Sequence, residues 1–275
     1  MASLYPRAIA GSLLPGGRGD TLPDLEVRVH DATLEPERLA AYRDVCGFSR
    51  TGALPVTAPH LLAFPLQMSV MTDRSFPFDV LGLVHVANRA ELVRPVADGE
   101  ELDLTVRARD LRDHPRGRQF DLVAEASAGG QEVWRSVSTY LRTGGGDRDG
   151  GRDRPRPGTP PQPSEYWEVP DDTGRRYAAV SGDRNPIHLH PLTARPFGFP
   201  RAIAHGMWVK ARSIAAIESE LGDAYAAEVE FKLPLLLPAR VAFAVTDAEG
   251  SARAISVRDA GSGRPHLSGT VSPRR

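Results

Sequence analysis

Between residues 177 and 188 the chain reads Tyr-Ala-Ala-Val-Ser-Gly-Asp-Arg-Asn-Pro-Ile-His, which places Asp183, Asn185 and His188 within six residues in a stretch punctuated by Gly182 and Pro186. A carboxylate and an imidazole held near each other can share the deprotonation of one water, general acid–base chemistry worth roughly 10²–10⁴ in rate. Asn185 can orient that water or the carboxylate. Ile203-Ala-His-Gly-Met207 follows after a Gly-Phe-Pro turn, and Gly206 falls in the first turn of a helical pattern. Backbone N–H groups there lack intrahelical acceptors, and a residue without Cβ lets a carbonyl approach, so Gly206 suits an oxyanion contact. Each feature also has a plainer explanation. Asp183-x-Asn185-Pro is an Asx-type turn, Gly206 allows close helix packing, and His190 and His205 are expected to be structural. A zinc site from His188, His190 and His205 has the right ligand types but no carboxylate at a known spacing, so no metal is expected. Ser181 lacks the Gly-x-Ser-x-Gly surroundings of a nucleophile elbow.

Elements with helical and strand periodicity must hold these residues. From Ala204 to Leu221 apolar residues recur at Met207, Ala211, Ile214, Ile217 and Leu221, predicting a helix stopped by Gly222; Leu61–Met71 is a weaker counterpart interrupted by Pro65. Strand-like runs follow each helix: 102–106, 120–126 and 133–141 after the first, 227–231, 241–245 and 255–257 after the second. The order repeats, and so do residues. Tyr42-Arg-Asp-Val-Cys-Gly-Phe48 aligns with Tyr177-Ala-Ala-Val-Ser-Gly-Asp183, and Ala58-Pro-His60 with Ile203-Ala-His205. Residues 144–163 separate the copies with six Gly, five Pro and seven charged residues and no apolar aliphatic or aromatic side chain, the composition of a solvated tether. The expected organisation is a first half at 1–143, a flexible linker at 144–163 open to trypsin after Arg148 or Arg152, and a last half at 164–275, the halves packing as a pseudo-dimer.

Composition narrows the function classes. With 275 residues, 41% hydrophobic, and 34 Lys and Arg against 35 Asp and Glu, no bulk attraction to nucleic acid or anionic membranes follows. No run approaches the ~20 apolar residues of a membrane span, the N-terminal text lacks a signal-peptide core, and the single Cys46 fits a reducing, cytoplasmic setting. The Gly-rich run at 144–151 lacks the Lys-Ser/Thr ending of a phosphate loop.

The 177–188 motif, with Gly198-Phe199, Ile203-Ala-His-Gly206 and Lys232-Leu-Pro234, resembles the MaoC-like dehydratases, also described as R-specific or type 2 enoyl-CoA hydratases. The resemblance covers most of the last 112 residues. It implies an α+β double hot-dog fold, two curved antiparallel sheets each wrapping a central helix. It implies that Asp183 and His188 activate water, that Asn185 positions, and that the Gly206 amide holds the thioester carbonyl. The implied reaction is hydration of trans-2-enoyl thioesters to (3R)-3-hydroxyacyl thioesters in acyl metabolism, without cofactor, on coenzyme A or acyl carrier protein. The first half resembles a divergent copy through Phe76-Pro-Phe78 and Leu81-Gly-Leu-Val-His85. Phe48 stands where Asp183 aligns and Ala53 near where His188 falls, so one active site per chain is expected, with Phe48 lining the acyl pocket. A homodimer is compatible with this arrangement. Two rival functions remain: a hot-dog thioesterase, which would release free thiol, and a non-catalytic acyl-thioester binding subunit.

Overall fold

A computed structural model describes residues 20–144 and 161–274. The proposed tether therefore lies almost wholly outside the described residues, as do Arg148 and Arg152, while β5 ends at Thr143 and β6 begins at Glu165. Among the described residues, ten strands form one antiparallel sheet in the order β1-β3-β4-β5-β2-β7-β10-β9-β8-β6. The first half supplies β1 (Glu26–Ala32), β2 (Leu83–Leu92), β3 (Leu102–His114), β4 (Gly117–Ala128) and β5 (Gln131–Thr143). The second supplies β6 (Glu165–Val169), β7 (Tyr225–Phe231), β8 (Ala239–Asp247), β9 (Arg253–Asp259) and β10 (Pro265–Pro273). Read inward from each edge, the two five-strand orders match position by position. The expected pair of sheets is thus continuous: β2 pairs with β7 from Ala87↔Glu230 to Glu91↔Ala226.

Alternation sets the curvature side. In β3, Leu102, Leu104, Val106 and Ala108 are buried while the intervening residues are partly exposed, and in β8 Val241 and Phe243 point to the core. Each half wraps a central helix. In α2 (His60–Met71), ten residues of HLLAFPLQMSVM are buried, so the helix is apolar on nearly every side, as a helix enclosed by a sheet must be. Its counterpart α5 (Gly206–Ala215) buries Met207, Trp208, Val209, Ala211 and Ile214. The predicted continuation to Leu221 does not form. Beyond Ala216 the chain turns into a 3₁₀ segment, Glu218–Glu220, where the Glu218 carboxylate accepts bonds from the Ser49 and Arg50 N–H groups of the first half at 2.8 and 3.0 Å.

Two helices of more than two turns were not anticipated. α1 (Pro36–Cys46) and α3 (Thr173–Ser181) carry the Tyr42 and Tyr177 repeats and both end on a glycine at φ 80°, Gly47 and Gly182. They pack on each other, with the Tyr42 and Tyr177 rings 6.3 Å apart. Other ties cross between the halves. Arg38 Nε donates to the Val180 carbonyl at 2.7 Å and Trp208 Nε1 to the Val45 carbonyl at 2.8 Å. The fully buried Lys210 donates to the backbone carbonyl of Asn88 on β2 at 3.3 Å and that of Ala227 on β7 at 2.8 Å, and it also bonds the Asn88 side chain. No helix among the described residues is long and apolar enough to cross a membrane.

Candidate active site

The left-handed Gly182 ends α3 and turns the chain into a loop built by its own polar groups. Asp183 N–H donates to Ser181 Oγ at 3.1 Å, and Asn185 N–H donates to Asp183 Oδ1 at 3.2 Å. Asn185 Oδ1 accepts from Ile187 N–H at 3.4 Å and starts the 3₁₀ turn Pro186–His188. The Asx-turn explanation and the catalytic one therefore coexist. Asn185 aims the Asp183 carboxylate through its backbone, while its side-chain oxygen caps the turn.

His188 is fixed from two sides. Its Nδ1 donates to the Ile203 carbonyl at 2.8 Å, which leaves Nε2 as the nitrogen able to exchange a proton. Its own carbonyl presses against α3 at Gly174, where a Cβ would stand 2.0 Å from the oxygen. Ile203 is held in turn by its N–H to the Ile187 carbonyl at 3.0 Å and by a bridge to Leu236. This arrangement delivers Gly206 to the first position of α5, with His205 before it. A Cβ on Gly206 would meet the Phe231 ring at 3.0 Å.

His205 has a larger part than the sequence reading gave it. It is 2% exposed, donates through Nε2 to the Asp183 carbonyl at 2.9 Å, and stacks on His188 with centroids 3.7 Å apart. The Tyr177 ring lies 4.9 Å from it. Burial, opposed by the Asp183 charge, lowers the pKa of His188, and burial with the neighbouring His188 pushes His205 down to about 3. Both rings are thereby biased toward the neutral form.

One oxygen of Asp183 and one nitrogen each of His188 and His205 lie within 4.8 Å of one another. The set suits a cation poorly. His188 Nδ1 and His205 Nε2 are engaged by backbone carbonyls, and His205 Nδ1 is sealed in the interior. His190 belongs to none of this: it is exposed and caps α4 (Pro191–Ala194) by accepting from Leu192 N–H at 3.1 Å.

Asp183, Asn185, His188, His205 and Gly206 line a cavity of about 420 Å³. Its far wall comes from the first half: His60, Phe64, Met68 and Met71 of α2, then Val80, His85 and Tyr140. Phe48 is not part of that wall, contrary to expectation. It is 7% exposed and stacks on Tyr42 at 6.0 Å, because the left-handed Gly47 before it turns the ring into the core. The signal for the true wall was the nearly uninterrupted apolar text of α2, together with His60 at the repeat position of His205.

The family described as MaoC like domain matches residues 153–258. The 3-hydroxyacyl-thioester dehydratase X of Mycobacterium tuberculosis is 38% identical over 268 residues, 96% of this chain and 95% of that protein. A crystal structure of HtdX from the same organism superposes with a TM-score of 0.81 at 36% identity, covering 91% of this chain and all of the other. A MaoC-like dehydratase from Phytophthora capsici shares the fold, with a TM-score of 0.75 at 19% identity over 92% of this chain and 96% of that one. With the double hot-dog sheet in place and the kinship running along nearly the full chain, this protein belongs to the MaoC-like dehydratase family.

Proposed function

We propose that the chain catalyses the reversible hydration of trans-2-enoyl thioesters to (3R)-3-hydroxyacyl thioesters. The observation that carries this reading is the convergence, in one cavity, of the Asp183 carboxylate, His188 with Nδ1 tied to a carbonyl, and the first N–H of α5 at Gly206. The relative's dehydratase name and its 38% identity over 96% of the chain support the reaction class, and family kinship supports the R configuration.

In the hydration direction, water bound between Asp183 and His188 gives a proton to that pair as its oxygen bonds to C3. The C2–C3 π electrons move toward the thioester, and negative charge gathers on the carbonyl oxygen beside Gly206 N–H and the positive end of α5. The pair then returns the proton to C2. Dehydration is the same path reversed. The two groups act as one titrating unit, and neither step needs an external electron carrier. The carrier of the acyl group is coenzyme A or acyl carrier protein. The buried free Cys46 fits a cytoplasmic setting. Residues 164–275 form the catalytic half of this proposal, and residues 1–143 the degenerate half that walls the acyl chain, acting together as an intramolecular pseudo-dimer.

Incubation with trans-2-enoyl-CoA of several chain lengths should remove enoyl absorbance while leaving the thioester intact. Asp183→Asn or His188→Ala should lower turnover about 10²-fold or more, and the double variant should cost far less than the product of the singles. Release of free thiol would indicate a thioesterase instead. A folded single variant retaining more than about half the activity would remove that residue from the mechanism.

A further inference from the structure

The cavity wall facing the catalytic loop is not uniformly apolar. His60 opens α2 with 4% exposure, lines the cavity and leans on Phe64 one turn further on, the two ring centroids 6.0 Å apart. Its Nδ1 is sealed in the interior with no hydrogen-bond partner, so Nε2 is the nitrogen it can offer to a bound molecule. Two further polar rings stand in the same wall. His85 stacks on Tyr140 at 4.6 Å, and its Nε2 is likewise buried and unpartnered. The sealed His60 Nδ1 and His85 Nε2 are out of a ligand's reach, but a plain alkyl chain laid along this wall also leaves His60 Nε2 without a partner, and a polar atom covered without one is costly.

We infer that His60 is a specificity residue that hydrogen-bonds a neutral oxygen function, a hydroxyl or a carbonyl, carried on the acyl chain beyond the reacting carbons. The inference rests on the acyl-thioester reading above and deepens it. Burial and the nearby Lys210 hold His60 down to about 4, and burial with His60 holds His85 at about 3, so both rings are neutral in the working range. A neutral imidazole both donates and accepts, which matches a hydroxyl in either sense and a carbonyl through its N–H. The Asp183 charge is felt at His60, His85 and Tyr140 and works against an anionic group on the chain, so a carboxylate is the wrong partner. The first half keeps an imidazole at its helix start where the second half has His205, but Leu61 follows it in place of Gly206. The position has therefore kept its polar ring while losing the glycine of the oxyanion contact.

The test compares trans-2-octenoyl-CoA with the same thioester bearing a hydroxyl or keto group at C5, C6 or C7, in the wild-type protein and in His60→Phe and His60→Gln. At least one oxygenated substrate should exceed the plain one in kcat/KM in the wild type. His60→Phe should shift that ratio at least tenfold toward the plain chain, and His60→Gln, which keeps a donor and an acceptor, should shift it much less. Calorimetric binding of octanoyl-CoA and its 7-oxo analogue reads the same preference without turnover and should show the same reversal. If neither the kcat/KM ratio nor the binding ratio moves by more than twofold in His60→Phe, the inference is overturned. Should that variant not fold, His60→Leu carries the same comparison. Absence of hydration on every enoyl thioester, with the binding preference intact, would overturn the catalytic reading and leave the polar subsite standing.

Discussion

A single added carbon shows how tightly the proposed oxyanion corner is built. At Gly206 a Cβ would lie 3.0 Å from two carbons of the Phe231 ring, so the ring must move or the helix start must retreat. Gly206→Val should therefore lower turnover by roughly the 10²–10³ expected of a missing oxyanion donor, by excluding the carbonyl while the amide remains. Gly206→Ala should fall between, since Phe231 is partly exposed and can give way by a few tenths of an ångström. Steady-state kcat on a short enoyl-CoA checks both. Valine activity within a few fold of wild type would place the oxyanion contact elsewhere. The buried histidines add a pH signature. His60 at about 4 and His85 and His205 at about 3 bind protons less readily folded than unfolded, where the value is 6.5. Unfolding thus takes up protons in the window from 6.5 downward. Stability is full above it and falls with pH inside it, by up to about 1.4 kcal/mol per pH unit for each ring. Urea unfolding at pH 7 and pH 5 should show a marked loss at the lower pH. His60→Phe should reduce the pH dependence, and an identical slope would deny His60 its share.

At the level of elements, the helix pair α1 and α3 does what the central helices cannot. Each ends on a left-handed glycine and throws the following residue sideways, but the outcomes differ: Asp183 goes to the cavity and Phe48 to the core. The contact that sets the depth of the proposed catalytic loop is Gly174 of α3, against which the His188 carbonyl rests. A Cβ there would be 2.0 Å from that oxygen, a backbone atom that cannot swing aside. Gly174→Ala should therefore displace His188 together with its bond to Ile203. We expect a loss of thermal stability and a fall in kcat larger than any change in KM, although residue 174 touches no substrate. Unchanged kcat with an unchanged melting temperature would show that the loop adjusts freely.

For the whole molecule, the seam between halves is a strand pairing reinforced by side chains from both. The β2–β7 ladder, the Lys210 bonds to Asn88, and the Glu218 cap on Ser49 and Arg50 all cross it. Paired in this way, β2 and β7 present no open edge at the centre, and the outer edges are the short β1 and β6. The cavity is lined by Asp183 and His188 from one half and by His60, Phe64 and Met68 from the other, so it is complete only in the assembled pair.

Local residue order was enough to mark the Asp183–His188 loop, Gly206, the α2 apolar run, six of the ten strands and the duplication, because turn chemistry, periodicity and repeats are written in neighbouring residues. It missed α1 and α3, whose eleven and nine residues are too short for a decisive periodicity and of which α1 lacks an apolar stripe, and it carried α5 on to Leu221 because periodicity continues where Glu218 is drawn to the first half. His205, Gly174 and the polar wall of His60 and His85 were likewise beyond it. Their roles arise from approach between segments distant in the chain: a ring stacked at 3.7 Å, a carbonyl against a helix, and a cavity closed by two halves. Side-chain type and spacing determine which chemistry is available, whereas packing of one half on the other decides which groups face the same space.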